Sequence, residues 1–333
     1  MKRRHFGNIC ISLVTALSLS GCVTEDFPEC PNEYMLRIVY DRNMLFADAF
    51  ASQVKSVDIK VFDSETGHMV FHHSEEGTPL SVDGYRASLP VPPGTYDILC
   101  WGGMAEGISF GYADPAADIL QNNNVLLRME NGLSKDRLDN LYHGLLQHVT
   151  FVDNNDIGSI EPQTAAIYLT KNTNRINVIL HNLDGTEMDE SDFTFTVSSV
   201  NAGMGYDNSL DPQGKVKYYP WHISSIGSVD ASGVLVPSVI SAEFSTGRLT
   251  TAFSSRLDII RNSDGERIIS IPLERNLLLY KGEFHSSMTD QEYLDRQDDY
   301  TLTFILDKNN NWDKAAMIYI NDWATPPVQY QEW

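Results

Sequence analysis

The chain has 333 residues, with 24 Lys and Arg against 45 Asp and Glu, a formal net charge of −21. So acidic a surface repels phosphate backbones and anionic headgroups, which excludes nucleic-acid binding and attachment to a membrane by charge. The apolar share, 42%, is ordinary for a globular protein, and the length suits two domains, each with its own core.

The first predicted element is a secretory signal. Met1-Lys-Arg-Arg-His precedes an apolar run from Ile9 to Leu19 that is broken by Ser12, Thr15 and Ser18. The run is too short and polar to span a bilayer, which takes about 20 apolar residues. The small residues before the cleavage point end in a cysteine. Leu19-Ser20-Gly21-Cys22 resembles the lipobox of bacterial lipoproteins, whose Cys is acylated and becomes the mature N-terminus. Residues 1–21 are then lost, and Cys22 is the expected lipidation site, carrying palmitate-type chains. Loss of Lys2, Arg3 and Arg4 leaves 21 basic against 45 acidic residues, a balance of −24. One acyl chain binds only reversibly, at roughly 0.8 kcal/mol per buried CH₂, whereas several anchor durably. The acidic pair Glu25-Asp26 behind Cys22 resembles the surface-export signal of Bacteroidetes lipoproteins.

Residues 22–33, with Pro28 and Pro31, read as a tether, and strands dominate from there. Tyr34–Tyr40 alternates. Val57–Phe62 places Val57, Ile59 and Val61 on one face and Asp58 and Lys60 on the other. Asp63–Gly67 is a turn, and His68–Phe71 returns as its hairpin partner. Tyr85–Leu89 and the segment ending Asp97-Ile-Leu-Cys-Trp101 flank a Pro92-Pro93-Gly94 corner, which predicts a tight turn between two strands. Leu138, Leu141 and Leu145 stand near helical spacing and predict a short helix over Leu133–Leu146. Residues 149–160, rich in Asp, Asn and Gly, mark the domain boundary.

Beyond it, Ala165–Thr170, Asn174–Leu180, Phe193–Val197, Leu249–Phe253, Arg256–Ile260 and Arg267–Pro272 read as strands. Ser287–Asp298 reads as a helical turn. Tyr300–Leu306 and Ala316–Asn321 form a last hairpin around Lys308–Asn311. The expected fold is therefore mainly β: two tandem β-sandwiches, 34–158 and 159–333, with few short helices.

Four cysteines are present. Cys10 leaves with the signal and Cys22 takes the lipid. Cys30 and Cys100 remain in an oxidising compartment, where a pair tends to join. A bridge would close a loop of about 70 residues and stabilise by roughly 4 kcal/mol. The alternative is two buried thiols; the disulfide is favoured.

No enzyme signature stands out: there is no Gly-x-Ser-x-Gly elbow, His-Glu-x-x-His, Walker loop or dinucleotide fingerprint. His72-His73, with Glu75 and Glu76 nearby, reads as surface histidines at a hairpin end. Asp307, Asn309, Asn311 and Asp313 alternate oxygen ligands like half a calcium loop but lack the Gly and distal Glu, so a hairpin turn explains them better. Asp153-Asn-Asn-Asp156 reads the same way. Acid pairs such as Asp298-Asp299 do not single out a glycosidase site in so acidic a chain. No catalytic, cofactor or metal residue is nominated. Tyr218, Tyr219, Trp221 and His222 cluster, as do Trp323, Tyr330 and Trp333. Packing is the commoner use of such groups, and stacking on a glycan is the alternative.

Cys22 to Pro31, as C…D-x-x-x-C-P, resembles the start of the FimB-type fimbrial anchor lipoproteins of Bacteroidetes. Pro93-Gly-Thr-Tyr96 followed by Trp101-Gly-Gly103, Leu169–Val178 and Ile318–Trp323 resemble three further stretches of that family, in order along the chain. The resemblance implies two transthyretin-like sandwiches. It also implies a non-enzymatic outer-membrane lipoprotein that contacts fimbrial stalk subunits by strand exchange, a form of β-augmentation. Stalk subunits of related fimbriae lose an N-terminal strand to an arginine-specific protease. Arg37 and Arg42 lie where such a cut would fall, so a stalk or tip role stays open, as does a surface glycan-binding lipoprotein. Ala324–Trp333 is either a short donor strand or a tail.

Overall fold

Alternation at period two builds most of the chain into strands, because β-branched and aromatic residues fit a pleated, half-buried surface. The computed structural model describes residues 32–105, 108–182, 184–229, 233–282, 285–313, 318–321 and 323–325. In the first half these are β1 (Tyr34–Val39), β2 (Ser56–Asp63), β3 (Met69–Glu76), β4 (Arg86–Ser88), β5 (Gly94–Gly102), β6 (Phe110–Tyr112), β7 (Val125–Leu127), β8 (Leu133–Ser134), β9 (Tyr142–Phe151), β10 (Gln163–Tyr168) and β11 (Thr170–Lys171). The second half contains β12 (Thr173–Asn182), β13 (Phe193–Ser199), β14 (Gly203–Met204), β15 (Val216–Tyr218), β16 (His222–Val229), β17 (Leu235–Gly247), β18 (Arg256–Arg261), β19 (Glu266–Pro272), β20 (Asp299–Leu306), β21 (Ile318–Ile320) and β22 (Trp323–Thr325). Short helices include α1 (Phe50–Gln53), α2 (Asn154–Ile157), α3 (Leu273–Leu279) and α4 (Asp290–Arg296). The mainly β expectation holds.

The strands form sheets in the orders β10-β1-β4, β11-β9-β5-β2-β3, β16-β17-β12-β20-β21-β22, β19-β18-β13-β15-β8 and β14-β7-β6. The first two share a core that includes Leu36, Ile38, Ile59, Val61, Ile98, Cys100 and Ile167. β2 supplies Ile59 and Val61 to it, as its alternation predicts. The opposite face of β2 and β5 is not open to water. Phe62, Leu99 and Trp101 join a second core that runs on through Phe110 and Val125 to Ile176, Phe195 and Phe244 of the second half. Asp58 and Lys60, expected on a polar face, are therefore buried, at 8% and 3% exposure.

Several local expectations are corrected. Leu133–Leu146 is not helical: it holds β8, a loop and the start of β9. Pairing of β9 with β5, Tyr142 opposite Gly102 and Leu145 opposite Leu99, outweighs a helical spacing of three leucines. Gly144 lets β10 pack close on β9, since a Cβ there would lie 2.9 Å from Ile167. The Pro-Pro-Gly corner carries the chain from β4 in one sheet to β5 in the other, so it turns a sandwich edge and not a hairpin. Leu249–Phe253 is a loop between β17 and β18, with Leu249 buried as a plug. The strands over 163–171 pair with the first half: β10 runs parallel to β1, and β11 pairs with β9. β16 and β17 are strands that the alternation in the sequence does not announce, although β17 has 13 residues.

The halves are also stitched. β8 of the first half pairs with β15 of the second, and β14 of the second pairs with β7 of the first. Strand directions give the molecule two poles. β1 starts beside Val152, whose carbonyl accepts from Tyr34 Oη at 2.8 Å, and ends near α4, where Arg296 Nη1 donates to the Asp41 carbonyl at 3.0 Å. The N-terminal pole thus holds Asn32 and the 152–162 loop. β12 and β20 run parallel away from the junction, where Lys171 meets Asp298, towards a distal pole at Asn182 and Leu306.

Candidate docking surfaces

A chain that holds partners by its sheets must offer an edge, since an edge strand presents unpaired N–H and C=O groups. β3 and β19 are edges, but β3 carries His72, His73, Glu75 and Glu76, and β19 carries Glu266, Arg267 and Pro272. Charge and proline are the usual means of blunting an edge. β10 is uncharged but packs beside β9, near the N-terminal pole. β16, His-Ile-Ser-Ser-Ile-Gly-Ser-Val, is an eight-residue edge with no Asp, Glu, Lys or Arg. It pairs on one side with β17, has a bulge at Ile226/Gly227, and leaves Ile226 half exposed. At the other edge of that sheet, β22 leads away from the junction, with Thr325 opposite Ile318.

At the junction, Trp221 precedes β16 in a cleft of about 210 Å³ with Arg137, Lys171, Arg175, Asp298 and Asp299. The Arg137 guanidinium lies 5.6 Å from the Trp221 ring, within cation–π range, and Lys135 lies 5.4 Å from Tyr219. Burial raises the Asp299 carboxyl above its ordinary value, with Arg175 pulling the other way. The four clustered aromatics therefore divide. Tyr218 is core, its hydroxyl donating to Asn201 at 2.8 Å, whereas Tyr219 and Trp221 are half-buried and His222 is exposed.

A wider cleft of about 710 Å³, lined by Lys55, Glu76, Arg137 and Tyr142 among others, lies beside it.

The histidine pair sits within β3, not at a hairpin end. His72 Nε2 is 2.6 Å from Asp58 Oδ1, and Ser74 Oγ donates to the same oxygen at 2.5 Å. Tyr112 Oη donates to Asp58 Oδ2, and Lys60 donates to Asn123 at 2.8 Å while lying over the Tyr112 ring. Burial pushes the Asp58 carboxyl up, but the three hydrogen bonds outweigh it and hold it below its ordinary value. Ser74 Oγ also lies 3.3 Å from His72 Nε2, so Asp58, His72 and Ser74 form one closed set of contacts. The cluster clamps the 108–125 excursion to the sheet.

The oxygen-rich Asp307–Asn311 turn already holds a cation, the chain's own. Arg261 Nη1 donates to the Asn309 carbonyl and to Asn311 Oδ1, at 3.0 and 2.6 Å, and Nη2 reaches Asp264 and Glu266. Asp153 caps α2 by accepting from Asn155 N at 2.9 Å. Among the described residues no group of three His, Cys, Asp or Glu surrounds a metal position. Cys100 is a buried free thiol, and burial pushes it well above its ordinary pKa. Cys22, Cys30, Tyr330 and Trp333 lie outside the described residues, and the segment Ala324–Trp333 does so from residue 326 onward. Arg37 sits on β1, at the centre of its sheet, 3.7 Å from Asp48; Arg42 donates to Thr170 at 3.1 Å.

The chain resembles several solved structures. A candidate adhesin from Bacteroides thetaiotaomicron is 33% identical, with a TM-score of 0.81 over 91% of this chain and 100% of its own. A candidate polysaccharide-binding protein from the same organism is 26% identical, with a TM-score of 0.75 over 90% and 99%. The fimbrial anchor protein Mfa2 from Porphyromonas gingivalis shares the fold, with a TM-score of 0.68 over 90% and 100% at 15% identity. No curated protein sequence matches the chain. The family model of fimbrillin-A associated anchor proteins Mfa1 and Mfa2 matches residues 27–326, and the chain belongs to that family, a fimbrial and adhesin family and not an enzyme family.

Proposed function

We propose that this protein is an outer-membrane lipoprotein that anchors a surface fimbrium, acylated at Cys22 and holding a fimbrial subunit by strand addition to β16. The observation that carries the reading is the separation of ends. The described chain starts at Asn32 on one pole, whereas β16 runs from the junction towards the other. β1 lies between β10 and β4 with Leu36 and Ile38 in the core, so a cut at Arg37 or Arg42 would take out a central strand. An anchor that keeps this strand keeps its lipid. Two transthyretin-like units, divided near Asn172 where β11 gives way to β12, fit the two main pairs of sheets. Cys22→Ser should release the protein from the membrane, and Ile226→Lys should abolish co-purification of a fimbrial subunit. Retention of Cys22→Ser on the membrane, or an unchanged subunit yield with Ile226→Lys, contradicts the corresponding half.

A second reading rests on Trp221. A half-buried indole beside paired carboxylates and cations in a cleft is the kind of platform on which a sugar ring stacks. A glycan array should then show binding that Trp221→Ala removes; an array without signal eliminates the reading.

A further inference from the structure

The 152–162 loop at the N-terminal pole displays more aliphatic surface than a solvated loop needs. Ile160 is 80% exposed, Ile157 53% and Val152 38%. The display is built. Asp153 caps α2 at its start, and Gly158 in the left-handed conformation ends it, its N–H bonding back to the Asn154 and Asn155 carbonyls. Gln163 closes the loop by donating from Nε2 to the Val152 carbonyl and to Asn154 Oδ1, both at 2.7 Å. These bonds fix the backbone on either side of Ile157 and Ile160, both of which face solvent.

The loop also sits where the chain begins. Asn154 N donates to Asn32 Oδ1 at 2.8 Å, and Tyr34 stacks on Phe151 with ring centroids 4.6 Å apart. Ten residues separate Asn32 from Cys22, a reach of at most about 35 Å when extended. Among the described residues Ile108, Val82 and Val234 are also more than half exposed, and the sequence-adjacent pair Leu45 and Phe46 lies at the opposite end of β1. There the Arg296 guanidinium of α4 covers the Phe46 ring at 4.6 Å. The aliphatic tip of this loop thus lies at the pole where the described chain begins, which acylation at Cys22 would keep within reach of the bilayer.

We infer that Ile157 and Ile160 insert into the headgroup–acyl boundary of the membrane that holds Cys22, so the protein stands on a second, protein-made foot. The inference rests on acylation at Cys22. Amphipathic surfaces bind in this way by burying apolar side chains about 5–10 Å into the interface. Asp153, Asp156 and Glu161 flank the tip, so the suitable surface is zwitterionic, not anionic. The foot fixes the direction of the molecule, which a lipid attachment alone does not.

The test uses the full-length acylated protein on phosphatidylcholine vesicles with brominated acyl chains. Emission added by Ile160→Trp should shift to the blue and be quenched, whereas emission added by Leu45→Trp should not. Ile157→Asp/Ile160→Asp should leave the protein folded and vesicle-bound but raise its dissociation rate severalfold. Flotation with no quenching of Ile160→Trp overturns the inference and leaves the anchor reading intact. A blue shift without vesicles and no quenching places the tether itself over the tip, which also overturns it. Failure of the wild-type protein to float overturns the anchor reading and the inference together.

Discussion

The two halves bury their cores differently. The first half encloses one core between two sheets drawn from its own strands, and uses the other face of the larger sheet to build on. The second half also packs its two larger sheets on each other, but its core is not closed off. Its apolar cluster continues through Trp101, Phe110 and Val125 into the first half, and strands cross in both directions. The difference teaches that the junction is packed interior and not a linker. A load applied at the distal pole would pass to the N-terminal pole through close-packed side chains and paired backbone, as the proposed anchoring role requires.

The comparison breaks most sharply at Trp101, which is fully buried in the shared core and meets the His143 ring edge-on at 4.7 Å. Trp101→Ala should cost about 3–5 kcal/mol. It should lower a single cooperative thermal transition; a shift in only one of two resolved transitions would show that the halves unfold independently. Leu36→Ala lies in the first core alone and should cost about 3 kcal/mol. Native-state hydrogen exchange should accelerate first in β1, β4 and β10, with β12 and β20 following only at global unfolding.

His143 gives the junction a pH dependence that the first core lacks. Burial pushes its imidazole down to about 4, while the Tyr206 carbonyl 2.7 Å from Nε2 pulls the other way. The unfolded chain takes up a proton near pH 6.5 and the folded chain does not, so stability falls as pH drops from about 6.5 to 4, by up to roughly 3 kcal/mol. Denaturant midpoints across that range should show the loss, and His143→Leu should flatten it. The smallest effect is expected at the clamp. Tyr112→Phe removes one donor to the Asp58 carboxylate and should cost about 1.5 kcal/mol. Asp58 keeps Ser74 and His72, so its carboxyl should move up towards its ordinary value. Exchange should quicken over residues 108–125 while β2 stays protected.

Much of the first half was legible in the sequence because its signals are local. Val57, Ile59 and Val61 point to one core through alternation alone. That Asp58 and Lys60 are buried as well was not legible, since their cover comes from an excursion more than 40 residues later, through Tyr112 and Asn123. The start of β9 is masked in the sequence because three leucines mimic a helix, while its partners, β5 and β11, are distant in sequence. β16 escaped notice because Ser224, Ser225, Gly227 and Ser228 blur its alternation. The same composition leaves it an uncharged edge. The alternating Asp307–Asp313 oxygens were visible, but Arg261, which neutralises them, enters from 46 residues upstream of Asp307.

Photocrosslinking in living cells compares the two poles directly. A photoreactive residue at Ile226 should trap a fimbrial subunit, and one at Ile160 should trap none and label lipid instead. A subunit trapped at Ile160, with Ile226 silent, would contradict the account.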